Sequence, residues 1–182
     1  NKYGDLLSNL VLEITLPKIS TTSGSYLNWT NNTGHAYIKE CKISIGDKII
    51  DKHNSVWLDI WNELTDDNLA QYQMLNKHKS KNTYLKSSGI TDTDKDLKLY
   101  VPLQFWFCRN IGLSIPLISL NHSNVKVNVT TRSIQSIINT DSTTSVTITG
   151  NPTIKLYGDY IFLDETERKS FANNTELDYL IE

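Results

Sequence analysis

Between Leu97 and Phe107 the side chains alternate without a break. Leu97, Leu99, Val101, Leu103, Phe105 and Phe107 fall on one side; Lys98, Tyr100, Gln104 and Trp106 fall on the other. A period of two marks a β-strand with one face in a core. The run predicts a strand of about 11 residues, where five or six is usual. Pro102 lies inside it and cannot donate to a central ladder, so this strand belongs at a sheet edge or a bulge. Arg109-Asn110-Ile111-Gly112 ends the run as a turn. Apolar residues return at Leu113, Ile115, Pro116, Leu117, Ile118 and Leu120.

More strands precede and follow. Leu10, Leu12, Ile14 and Leu16 alternate with Val11, Glu13 and Thr15, and Pro17 stops the run. Residues 20–34 read as a polar loop anchored by Trp29. His35–Ile45 predicts a second strand whose apolar phase slips between Ile38 and Cys41, the mark of a bulge. Gly46-Asp47 makes a two-residue turn into Lys48–Lys52, a hairpin. Val125, Val127 and Val129 alternate with Lys126, Asn128 and Thr130. Residues 131–145 read as a long hairpin connection, with Ile134, Ile137 and Ile138 in it. Val146 and Ile148 give a short strand broken at Gly150-Asn151-Pro152, and Ile154, Leu156, Tyr160 and Phe162 mark a final long one.

Two segments switch to helical spacing. Val56, Trp57, Ile60, Trp61 and Leu64 form a stripe, with Ser55 as the expected N-cap. Tryptophans four apart suit a sugar or cofactor platform; a short helix plugging one barrel end with that stripe is the simpler reading. Asp164 with Glu167 three residues on makes a capping box for a helix over Glu165–Ala172. Leu177–Ile181 is an apolar tail without a visible partner strand.

Candidate chemistry is sparse. Cys108 beside Arg109 could be an activated thiol, but no cysteine-protease signature accompanies it, and a buried structural Cys fits better. Asp66–Asp96 is long, polar and aperiodic, as functional or variable surface loops are. Its basic cluster, Lys77-His78-Lys79-Ser80-Lys81, lacks interleaved aromatics and reads as solvated. Asp92, Asp94 and Asp96 imitate the start of a calcium loop, yet Leu97 replaces the required Gly and Leu103 the bidentate Glu. His35, His53, His78 and His122 show no metal-ligand spacing. No catalytic, cofactor or metal residues are therefore assigned. Asn-x-Ser/Thr sequons start at Asn28, Asn31, Asn121, Asn128 and Asn173, and carry little weight in so Asn- and Thr-rich a chain.

Composition sets the outer bounds. At 182 residues the chain is one large domain, or one plus a tail. A net charge of −2 gives no nucleic-acid-binding surface. No apolar run approaches the ~18 residues of a membrane span. No signal peptide is recognisable, and Asn1 in place of Met suggests a trimmed N-terminus. Cys41 and Cys108, each in an expected strand, argue against a disulfide framework and permit a reducing compartment. At least six strands, long loops and one plug helix point to an all-β antiparallel sandwich; long strands with long end loops favour a jelly roll.

Several ordered motifs resemble one family. They are Asn32-Thr33-Gly34-His35-Ala36, the run Ile49–His53, Trp57–Leu64, Leu103–Asn110, and Tyr157–Asp164 followed by Glu167-Arg168. Together they resemble the major capsid proteins of nucleocytoplasmic large DNA viruses: iridoviruses, phycodnaviruses and mimiviruses. One departure is Ile111, where that family commonly has Pro before the Gly, which touches only the turn's rigidity. The resemblance implies a double jelly roll forming homotrimers with a pseudo-hexagonal outline that tile an icosahedral shell. Residues 1–163 would be the first jelly roll and 164–182 a helical connector toward a second. Neighbouring capsomers and minor capsid proteins would be the partners. Assembly would take place in the host cytoplasm, near an internal membrane but without insertion, and with no direct nucleic-acid contact. Jelly rolls also host lectins and cupin enzymes. A lectin would use Trp29, Trp57 or Trp61; a cupin would need clustered His and carboxylates, which makes it the weaker rival.

Overall fold

The computed structural model describes residues 4–22, 26–65, 73–77, 95–120, 123–141, 146–173, 178 and 181. Its first sheet is assembled around β1 (Leu6–Leu16). One edge of β1 pairs antiparallel with β11 (Thr153–Ile161), Ile14 opposite Ile154 and Leu12 opposite Leu156. The other edge pairs with β6 (Leu97–Pro102), Val11 opposite Pro102 and Leu16 opposite Leu97. That edge continues into β7 (Ile115–Pro116), which pairs with Leu6 and Leu7. In the second sheet β4 (Ile38–Ile45) lies between β5 (Lys48–Asn54) and β8 (Val125–Thr131). Two short antiparallel pairs complete the strands: β2 (Lys18–Ser20) with β10 (Thr147–Thr149), and β3 (Leu27–Trp29) with β9 (Ile138–Thr140). Leu12, Ile14, Leu99 and Val101 of the first sheet share one buried cluster with Cys41 and Ile43 of the second. The two sheets are therefore the layers of an antiparallel sandwich.

Several expectations hold for local reasons. β1 reaches back to Leu6, further than Leu10, because Leu6 and Leu7 also find partners. Its register shift between Leu7 and Leu10 marks an irregularity there. The expected bulge in β4 is present, with a register shift between Ile38 and Glu40 against β8. Gly46 takes φ 61°, the left-handed conformation its hairpin turn needs. The capping box forms: the Glu167 N–H donates to Asp164 Oδ1 at 2.8 Å and the Asp164 N–H to Glu167 Oε2 at 3.4 Å. β6 is an outer strand among the described residues, which is where Pro102 can be tolerated.

The opening strand is shorter than its alternation. Ladder pairing stops at Pro102, Leu103–Phe105 run on as irregular chain, and α3 (Trp106–Arg109) follows. Burial still alternates through Phe105. Trp106, expected outward, is buried with Phe107, the rings meeting edge-on at 5.0 Å. Once the chain coils, the period of two no longer assigns faces. Cys108 accordingly sits in a helix and not in a strand.

His35 does not open β4. It belongs to α1 (Thr33–Tyr37), whose N-cap Asn32 is left-handed at φ 53°, a conformation Asn tolerates. Gly34 allows a close approach there: a Cβ would lie 3.0 Å from Leu75 Cδ2 and 3.0 Å from Val101 Cγ2, so those side chains would have to give way. α2 (Ser55–Thr65) is capped by Asn54, whose Oδ1 accepts the Trp57 N–H at 2.9 Å, and not by Ser55. The stretch 131–145 is more structured than a connection, holding the end of β8, a 3-10 turn over Ile134–Ile137 and β9. The pairing of β3 with β9 also breaks up the expected loop 20–34, and Trp29 is buried there as its anchor. α4 (Glu165–Asn173) closes the described chain. Most of the loop 66–96, with Asp92, Asp94, His78 and Lys79–Lys81, lies outside the described residues, as do His122, Asn121 and most of the Leu177–Ile181 tail.

Candidate functional site

The first candidate surface lies along β11. Residues directly opposite in a ladder share a face of the sheet. Ile154 and Leu156 therefore point to the same side as Ile14 and Leu12. Ile14 and Leu12 are 0% and 1% exposed, but Ile154 and Leu156 are 39% and 45% exposed. The core is thus open at β11. Tyr160 and Phe162 add further exposed aromatic surface, while Tyr157 is exposed on the other face of the sheet. Sequence periodicity identified this strand but could not show that its apolar face is uncovered.

On the other face of the sheet the strands are tied by charge. Glu13 is buried, with Lys155 Nζ at 3.4 Å, Lys98 Nζ at 3.6 Å and the Tyr157 hydroxyl donating at 3.4 Å. Burial alone would raise its pKa, but Lys155 and Lys98 hold the carboxyl below its ordinary value.

The second candidate surface is α2, and here the phase is the reverse of that expected. Ser55, Leu58 and Asn62 are buried, while Val56, Trp57, Ile60 and Leu64 are exposed. The helix covers the sandwich with its more polar side, and Lys77 Nζ donates to Asn62 Oδ1 at 2.8 Å while pairing with Glu63. The aromatic stripe is no plug. Trp57 and Trp61 lie 5.7 Å apart between ring centroids, and the Arg109 guanidinium sits 4.6 Å from the Trp61 centroid.

The cysteines lie in surroundings that keep their thiols protonated. Burial pushes the Cys108 thiol up to about 11 despite Arg109, and the Cys41 thiol up to about 12. His35 Nδ1 accepts from Asn32 Nδ2 at 3.0 Å, and the same amide nitrogen also donates to Asp59. This links α1 to α2. Burial pushes His35 down to about 4, although Asp59 Oδ1 stands 3.7 Å away. Among the described residues no three His, Cys, Asp or Glu side chains gather as a metal set. His35 and His53 are both buried but belong to different contacts, His53 packing on Phe105 at 4.4 Å.

A family described as the major capsid protein N-terminus matches residues 1–164. The chain belongs to this family. It is 34% identical over 214 residues to the major capsid protein of Phaeocystis pouchetii virus, covering 100% of this chain and 41% of that protein. It is 36% identical over 185 residues to the major capsid protein of Pyramimonas orientalis virus, covering 100% and 43%. It superposes on a quasi-atomic structure of the PBCV-1 virus capsid with a TM-score of 0.74 at 29% identity, covering 100% of this chain and 41% of that one. The sandwich is accordingly a jelly roll, as the motifs implied. The chain spans about two fifths of the length of these relatives. Within the family motif at Leu103–Asn110, Phe105 and Phe107 stack at 5.8 Å in the core. At the departure from the family pattern, Ile111 is exposed, and Asn110 Oδ1 accepts the Gly112 N–H at 2.8 Å to hold the turn.

Proposed function

We propose that this chain is the first jelly roll of a double-jelly-roll major capsid protein, a structural subunit without catalysis. Residues 1–163 form the jelly roll and 164–182 the connector. The uncovered core face of β11 carries this reading, because Ile154 and Leu156 are paired with fully buried partners yet left open. A contiguous apolar surface of that kind is a contact surface in the assembled molecule. The relatives, which are more than twice as long, supply the chain to cover it. Three copies of the longer protein close by rotation into a capsomer through repeated contacts, with a pseudo-hexagonal outline from two jelly rolls per copy. Such capsomers meet one another and minor capsid proteins in the virion shell, after assembly in the host cytoplasm beside an internal membrane.

Electron microscopy of the full-length protein tests this reading. Trimers of pseudo-hexagonal outline are expected; particles of another symmetry would contradict it. Elemental analysis of the same material is expected to find no stoichiometric metal, and finding one would contradict this reading.

A further inference from the structure

We propose that the cavity between α2 and the end of the sandwich binds one pyranose ring of a glycan. This goes beyond a shell role and follows from the unexpected orientation of α2. The cavity measures about 390 Å³, within the range of ~300–1,000 Å³ typical of small-molecule sites. Trp57 and Trp61 form its aromatic wall, their rings inclined at 40° to one another. Arg109 lies over Trp61, whereas Trp57 is 38% exposed and keeps surface for an incoming ring.

The rest of the lining is polar and of mixed charge: Asp51, Lys52, His53, Asn54 and Gln104, with Arg109 at the Trp61 side. His53 is 7% exposed, and neither of its ring nitrogens has a hydrogen-bond partner. A buried imidazole without partners is rare, because the lost hydration is normally replaced. Burial, with Arg109 and His35 nearby, pushes His53 down to about 4, so the ring is neutral at physiological pH. A neutral imidazole offers one donor and one acceptor. A hydroxyl group satisfies either, once a small shift of the ring brings a nitrogen, closed to solvent in the free protein, to the cavity wall.

The chemistry narrows the ligand. A transition-metal ion would find only Asp51 and His53 as ligands here, with Lys52 and Arg109 in the same lining to repel it. A phosphate or other strong anion would find Lys52 and Arg109 as well as the Asp51 carboxyl, but it would leave the exposed indole face of Trp57 unused. A purely apolar ligand would leave His53 and Gln104 unsatisfied. A pyranose has a C–H face for an indole and a rim of hydroxyls for amides, carboxylate and imidazole. Trp29, the third tryptophan considered as a sugar platform, is buried in β3 and takes no part.

The test is a titration of full-length protein with methyl glucoside, methyl mannoside, methyl galactoside and N-acetylglucosamine, read by saturation-transfer NMR and tryptophan fluorescence. At least one sugar is expected to bind saturably in the millimolar range. Trp57→Ala and Gln104→Ala should each weaken binding by about tenfold without moving the melting temperature. Trp57→Phe should retain part of it. Repeating the titration after enzymatic deglycosylation locates the source. Binding that appears only then means the pocket holds a glycan of the protein's own; binding beforehand means an external one. No saturable binding to any of the four sugars in either preparation, or binding indifferent to both alanine substitutions, would overturn the proposal. The readout is the same whether the protein is trimeric or not.

Discussion

Arg168 holds Asp5 across almost the whole chain: Nη2 and Nε donate to Asp5 Oδ2 at 2.9 and 3.0 Å. The same oxygen accepts the Leu163 N–H at 2.8 Å. The residue just before β1 thus anchors the entrance to α4. Ser119 Oγ adds a second tie by donating to Phe171 O at 3.1 Å.

This clamp has an acid limit. The Leu163 N–H and Arg168 together hold the Asp5 carboxyl below its ordinary value, against the opposing effect of burial. The tie is then fully present above the unfolded carboxylate pKa of ~3.9 and is lost as pH falls through the lower folded value. Arg168→Ala should expose α4 to proteolysis at neutral pH while the sandwich stays resistant. Limited proteolysis followed by mass spectrometry checks this; equal protection of α4 in both proteins would contradict it.

Phe105 should be a keystone of the core. It is 0% exposed, stacked on Phe107 and in contact with the His53 ring. Phe105→Ala should cost roughly 3–5 kcal/mol through lost burial and the cavity left behind. Urea denaturation measures it. A loss under ~1 kcal/mol would show that the segment is placed on the wrong face.

How much of this was legible follows from what periodicity reports. β1, the β4–β5 hairpin, β8 and the Asp164–Glu167 capping box were readable because each is a local signal: alternation, a Gly-Asp turn, a reciprocal cap. The Leu103–Phe107 segment misled because irregular chain and a short helix can bury alternate residues without a ladder. α1 was hidden because its five residues are too few to show a helical period. The stripe on α2 was found correctly, but a period of 3.6 is the same whether the apolar side meets a core or faces outward. The pocket at His53 depended on that orientation and so was not legible.

Two buried histidines should make the fold acid-sensitive. Burial pushes both His35 and His53 from 6.5 down to about 4. Between those values the unfolded chain takes up protons that the folded chain does not, so stability falls as pH drops through this window. The slope is at most about 1.4 kcal/mol per pH unit for each group. Denaturation midpoints recorded from pH 7 to 4.5 should decline, and His53→Asn should flatten part of that decline. An unchanged slope in the variant would place the sensitivity elsewhere.

The open face of β11 should tolerate charge in isolation but not in assembly. Leu156 is already 45% exposed, so Leu156→Glu should change the stability of residues 1–182 by less than ~1 kcal/mol. In the longer protein the same change should block or weaken trimer formation, because a buried unpaired carboxylate has no compensation. Unfolding curves and analytical ultracentrifugation of the two forms check the two halves. A large loss in the short form would mean the face is already covered.

Light scattering coupled to gel filtration, run on residues 1–182 and on the full-length protein, tests the central claim most directly. With the β11 face lacking its cover, residues 1–182 should be monomeric or aggregate, and the full-length protein should elute as a discrete trimer. A stable trimer from residues 1–182 alone would contradict the account and identify a single-jelly-roll shell protein instead.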